Sequence, residues 1–101
     1  MNEKEISLYQ QEIDELTTLL NEEWLDLRDV LNKNDIETID GRLISFFEDE
    51  YDGQFGLFIT NKKEIIKFEV INNKMKKEYI RNATDIADEY PQILVALNDK
   101  Y

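Results

Sequence analysis

The chain contains no cysteine and no histidine, a single proline and only three glycines. Without cysteine there is no disulfide framework, zinc–thiolate site or thiol nucleophile, and the composition predicts a reducing, cytoplasmic setting. Without histidine the commonest general base is missing, so neither Ser7 nor Ser45 has the usual group to activate it. The expectation is therefore a protein that is not an enzyme and that needs no metal and no cofactor. Gly41, Gly53 and Gly56 never reach the spacing of a phosphate-cradling loop ahead of a helix. No apolar run approaches membrane-spanning length, and the segment MNEKEISLYQQEIDEL lacks the basic start and apolar stretch of a signal peptide. No membrane association is expected.

What is present is enough to fold. With 101 residues, 42% of them hydrophobic, the chain can close one core without a disulfide or a structural metal, and residues 1–101 read as a single domain with no repeat or linker. Its formal net charge is −11, unevenly spread. Residues 1–60 hold sixteen acids against four bases, residues 61–82 seven bases against three acids, and residues 83–101 four acids against one base. A surface so acidic opposes direct contact with nucleic acid and favours a basic protein partner; solubility alone is the competing explanation.

From Glu3 to Asn32 the apolar residues Ile6, Tyr9, Ile13, Leu16, Leu20, Trp24, Leu27 and Leu31 recur every three or four positions, which predicts one long amphipathic helix. Leu8, Leu19, Leu25 and Val30 widen the stripe beyond a zipper seam, and Glu23 interrupts the seam, so packing on a sheet of the same chain is expected. Beyond Asp35 the period falls to two. Asp40-Gly41, Asp52-Gly53 and Asn61-Lys62 punctuate strands at Arg42–Glu48, Gln54–Thr60 and Glu64–Ile71, with Ile36–Ile39 a candidate fifth. A two-residue turn at Asn61-Lys62 would set Leu57 against Ile66 and Phe55 against Phe68. A turn at Asn72-Asn73 sets Val70 against Met75, Ile66 against Tyr79, Glu69 against Lys76 and Lys67 against Glu78, so residues 74–81 read as a strand rather than a helix. A final helix is expected from a Thr84 cap, interrupted by Pro91, with Ile93, Leu94 and Leu97 packing inward. The fold class is α+β: a long N-terminal helix, an antiparallel meander of four strands with a fifth in question, and a broken C-terminal helix, the helices on one sheet face.

Two acidic surfaces are candidate partner-binding sites. The first is the hairpin tip Glu48, Asp49, Glu50, Tyr51 and Asp52, where carboxylates surround an aromatic anchor able to meet Arg and Lys groups. A calcium loop is not expected there, because the first position is Glu and the twelfth is Ile59. The second is the face of the first helix, especially Glu15, Glu22, Asp26 and Asp29. The basic run from Lys62 to Arg81 reads as a solvated outer sheet face, since Glu69 and Glu78 sit among its lysines and Phe68 and Tyr79 point to the core side. Trp24, on the helix stripe, reads as core.

In general character, a short acidic α+β chain without cysteine, the sequence is similar to small immunity proteins and phage-encoded inhibitors, though no motif carries that likeness. The functional expectation is a stoichiometric inhibitor of a basic partner such as a nuclease or another nucleic-acid-binding protein. The alternative is a structural or adaptor subunit that self-associates through the N-terminal helix. A monomer or dimer is expected.

Overall fold

The structure, a computed structural model, describes residues 1–98. Asn2 opens the first helix, α1 (Glu3–Glu22): its side-chain oxygen accepts from the Glu5 amide at 2.9 Å, and Glu3 and Glu5 put negative charge at the positive end of the helix dipole. The expected unbroken helix to Asn32 does not form. The amides of Glu23 and Trp24 both donate to the Leu19 carbonyl, at 2.8 and 2.7 Å, and Trp24 leaves the helical region before α2 (Leu25–Lys33) begins. The reason is dimensional. One continuous helix over this span would run about 45 Å, past the 39 Å longest extent of the molecule and far past strands of six or seven residues. Breaking at Trp24 lets Leu27 and Leu31 fold back over the sheet, where both are buried.

Helix α2 ends in a Schellman motif, with Asp35 at φ 65°, the Ile36 amide on the Leu31 carbonyl and the Asp35 amide on the Asn32 carbonyl. Its apolar clasp, Ile36 against Leu31, takes the first residue of the candidate fifth strand. Asn32 Oδ1 then holds the Thr38 amide and hydroxyl at 3.2 and 3.1 Å. Ile36–Ile39 is therefore a helix-capping loop rather than a strand.

The sheet has four antiparallel strands in the order β1 (Arg42–Glu48), β2 (Gln54–Ile59), β3 (Ile65–Ile71) and β4 (Lys74–Ile80). The expected β3–β4 register holds throughout: Val70 pairs with Met75, Glu69 with Lys76, Lys67 with Glu78 and Ile66 with Tyr79. Between β2 and β3 the register differs by one from the expectation, with Leu57 opposite Lys67 and Phe58 opposite Ile66. The Thr60 amide donates to the Glu64 carbonyl and Lys63 lies at φ 67°, so the loop is Asn61, Lys62 and Lys63 rather than a two-residue turn. The extra residue shifts every pair.

Both sheet faces are covered, which corrects the expectation of helices on one face. Adjacent residues Leu57 and Phe58 point to opposite sides, and each joins a different cluster. Phe58, Ile66, Phe68 and Val70 pack with Leu20, Leu27, Leu31 and Ile36. Leu57, Ile59 and Ile65 pack with Ile93 and Ala96 of α3 (Gln92–Leu97). Helix α1 runs along the β1 edge, where the Thr17 hydroxyl accepts from the Leu43 amide at 3.0 Å; Ile13 enters the second cluster and Leu20 the first. The stripe of α1 is thus used by the chain's own core.

The C-terminal segment opens on a 3-10 turn at Ala83–Asp85, and its cap is Asn82 rather than Thr84: Asn82 Oδ1 accepts from the Thr84 amide and hydroxyl. Pro91, at φ −60°, precedes α3, as a proline at a helix start should. Ile93, Val95 and Ala96 are buried, whereas Leu94 points outward, 42% exposed. Tyr79 shares the Ile66 side of the sheet but lies beyond the helical cover, 48% exposed.

Candidate protein-binding site

The β1–β2 tip is ordered by one carboxylate. The Asp49 amide donates to the Gly53 carbonyl at 2.9 Å and the Asp52 amide to the Asp49 carbonyl at 3.2 Å, closing a loop of Glu50, Tyr51 and Asp52 with Asp52 at φ 64°. Asp49 Oδ1 then accepts from the amides of Tyr51 (3.0 Å) and Gly53 (2.7 Å). Asp49 is therefore a turn-forming residue, its charge directed at the loop's own backbone. Tyr51 stands clear of the tip, 83% exposed.

Because α1 stops at Glu22 and α2 turns back, the tip lies next to α2. Asp26, Leu27 and Val30 face Glu48, Tyr51, Asp52 and Gln54 across a groove of about 410 Å³ whose far end is formed by Val70 and the Asn72-Asn73 turn. A second groove of about 290 Å³ continues from it past Glu23, Trp24 and Phe46 and shares Asp26, Leu27, Glu48 and Gln54. The rings of Trp24 and Phe46 are tilted against each other with centroids 4.8 Å apart. Gln54 Nε2 donates to Glu48 Oε2 at 3.2 Å, which fixes one carboxylate at the junction of the two grooves. The result is an end of the molecule where Glu23, Asp26, Glu48 and Asp52 rim two aromatics, half-buried Trp24 and exposed Tyr51.

The two acidic surfaces singled out from sequence thus meet in part. Glu48, Tyr51, Asp52 and Asp26 line one groove. Glu50 is exposed on the same tip but does not line the groove, Asp49 is turned inward, and Glu22 and Asp29 are exposed on the helices outside it. Glu15 lies along α1 in a larger concavity of about 690 Å³. Every residue lining that concavity comes from one helix, so it is an open helix surface without converging groups. Nothing in the sequence assigned Glu23, Phe46 or Gln54 to a site, and Trp24, expected in the core, packs against it half-buried. The one signal for this corner was the interruption of the apolar seam at Glu23.

Among the described residues, no group of three or more acidic side chains is placed to hold a metal ion. No helix among them is long and apolar enough to cross a membrane. On the other sheet face, Phe55, Lys67, Glu69, Lys76 and Tyr90 line a further groove of about 290 Å³. Burial holds the Tyr90 phenol above its ordinary value, and the charge of Glu89 and a hydrogen bond to it push the same way. No protein-family model, curated protein or solved structure matches the chain.

Proposed function

We propose that the protein is a non-catalytic binding protein that docks its acidic end on a basic partner, acting as a stoichiometric inhibitor of a nucleic-acid-acting protein. One observation carries the reading: Asp26 from α2 and Glu48 and Asp52 from the β1–β2 hairpin, distant in sequence, line one groove beside exposed Tyr51. Carboxylates around an aromatic suit Arg and Lys groups, which bind carboxylates in charge-assisted hydrogen bonds and stack on rings. The net charge of −11 adds long-range attraction, so a basic cleft that binds phosphate is drawn to this surface and occluded by it. An inhibitor of the immunity or phage anti-defence kind works in this way.

The test begins with parallel capture by the tagged wild-type chain and by an Asp26→Asn/Glu48→Gln/Asp52→Asn variant. A basic protein should be retained by the first and lost by the second, and its action on nucleic acid should fall to zero at one equivalent of wild-type chain. Equal capture by both chains, or a partner whose activity is indifferent to the protein, contradicts the proposal.

A further inference from the structure

The two edges of the sheet are treated differently. At β1, α1 lies alongside and Thr17 accepts from the Leu43 amide. At β4 there is no such cover: among the described residues it pairs with β3 alone, and every residue from Lys74 to Ile80 except Met75 and Ile80 is exposed. The tight Asn72-Asn73 turn, with both residues at positive φ, makes Ile71 and Lys74 the first hydrogen-bonded pair of the β3–β4 hairpin. Alternation along the ladder then directs the amides and carbonyls of Lys74, Lys76, Glu78 and Ile80 to β3 and those of Met75, Lys77 and Tyr79 outward.

We infer that this outward row is an interface for a second copy of the same chain, the two β4 strands pairing antiparallel about Lys77. Charge complementarity favours this pairing. A two-fold axis at Lys77 puts Lys76 opposite Glu78 of the second copy, twice, on one face, and Met75 opposite Tyr79 of the second copy, twice, on the other. Opposite charges directly across an antiparallel pair stabilise it, and sulfur–aromatic contacts are favourable. An axis at Lys76 also keeps the faces matched and sets Lys74 opposite Glu78 twice, but it centres two Lys76 side chains and puts Met75 against Lys77; an axis at Glu78 centres two glutamates and forms no opposite-charge pair within the strand. Lysines on an edge strand ordinarily block pairing, and the axis at Lys77 brings two lysines together. Each, however, is drawn off the edge onto its own chain: Lys77 Nζ donates to the Asn34 carbonyl at the end of α2 and lies 5.6 Å from the centre of the Tyr79 ring. The contact is one strand wide, well below the area of an obligate dimer, so the dimer forms with rising concentration. No residue of β4 lines the acidic groove beside α2.

Sedimentation of the full chain across micromolar to millimolar concentrations tests this, with Tyr79→Pro, Lys76→Glu and Lys76→Glu/Glu78→Lys alongside. Tyr79→Pro removes an outward donor and leaves the bonds to β3 intact. The wild type should pass from monomer to dimer, and Tyr79→Pro and Lys76→Glu should each weaken the dimer by about tenfold or more. The double exchange restores opposite charges in this register and should recover dimerisation, with circular dichroism confirming that each variant is folded. A wild type that stays monomeric throughout overturns the inference. So does a dimer indifferent to Tyr79→Pro, or a folded double exchange that fails to recover it.

Discussion

The ring of Phe68 on β3 lies over Gly56 on β2, in the space that a Cβ at position 56 would fill. The pair joins a strand glycine, which packs nothing itself, to a buried aromatic that needs the room. Gly56→Ala should therefore destabilise the fold by about 1–3 kcal/mol, the usual cost of overpacking a core. Denaturant unfolding measures it, and a smaller side chain at the facing position, as in Phe68→Leu, should be better tolerated in the Gly56→Ala background than in the wild type. An unchanged midpoint for Gly56→Ala would mean that Phe68 is not held there.

Asn72 and Asn73 both adopt positive φ, 53° and 62°. Asn73→Val forces a β-branched side chain into the left-handed region and should cost about 1–2 kcal/mol. Asn73→Gly should leave the melting temperature unchanged or raise it. Thermal unfolding of the two variants separates a turn requirement from a simple loss of polarity.

How far the sequence could be read depended on whether each turn left a signature. Asn72-Asn73 is a pair suited to positive φ, and the charges Glu69, Lys76, Lys67 and Glu78 fall opposite one another only in one register, so β3–β4 was legible. The β2–β3 loop depends on Lys63 in the left-handed region, for which lysine gives no signal, and the register slipped by one. The break at Trp24 carries neither glycine nor proline; it answers to the length of the sheet, which no local pattern displays. The meeting of Asp26 with Glu48 and Asp52 depends on that break, so the acids were visible and their assembly was not. The expectation of helices on one face failed because apolar residues fall on both sides of β2 and β3, as two covered faces require.

Tyr90 gives the fold a pH dependence at the alkaline end. Its phenol ionises above the ordinary value of 10.0 in the folded chain, first because of burial and then because of Glu89. Above pH 10 the unfolded chain releases this proton before the folded one. The contribution is therefore fully present below the unfolded value and is lost as pH rises through the folded one. Tyrosinate absorbance, taken as the difference between wild type and Tyr90→Phe, should show this late ionisation, and Glu89→Gln should bring it earlier. A Tyr90 titrating below the ordinary value of 10.0 would contradict the assignment.

Asp49 spends its carboxylate on the amides of Tyr51 and Gly53. Calorimetric titration with calcium or zinc should accordingly show no stoichiometric site. Asp49→Ala should destabilise the hairpin by roughly 1–3 kcal/mol, the cost of removing a charged acceptor from backbone donors. Glu50→Gln, on the same tip but outside these bonds, should be close to neutral in stability. Micromolar calcium affinity would reverse the reading of the tip.

The most direct measurement is the rate of association with the captured basic partner as a function of salt, for the wild type and for Asp26→Asn/Glu48→Gln/Asp52→Asn. Steering between charged surfaces is screened over about 8 Å at physiological ionic strength, so the wild-type rate should fall steeply as salt rises. Removing three carboxylates from the groove should slow association and flatten that dependence while circular dichroism shows an intact fold. Trp24, the only tryptophan, lines the adjoining groove and should report binding by its fluorescence. A folded triple variant that associates at the wild-type rate with the wild-type salt slope would contradict the assignment of the acidic end as the binding surface.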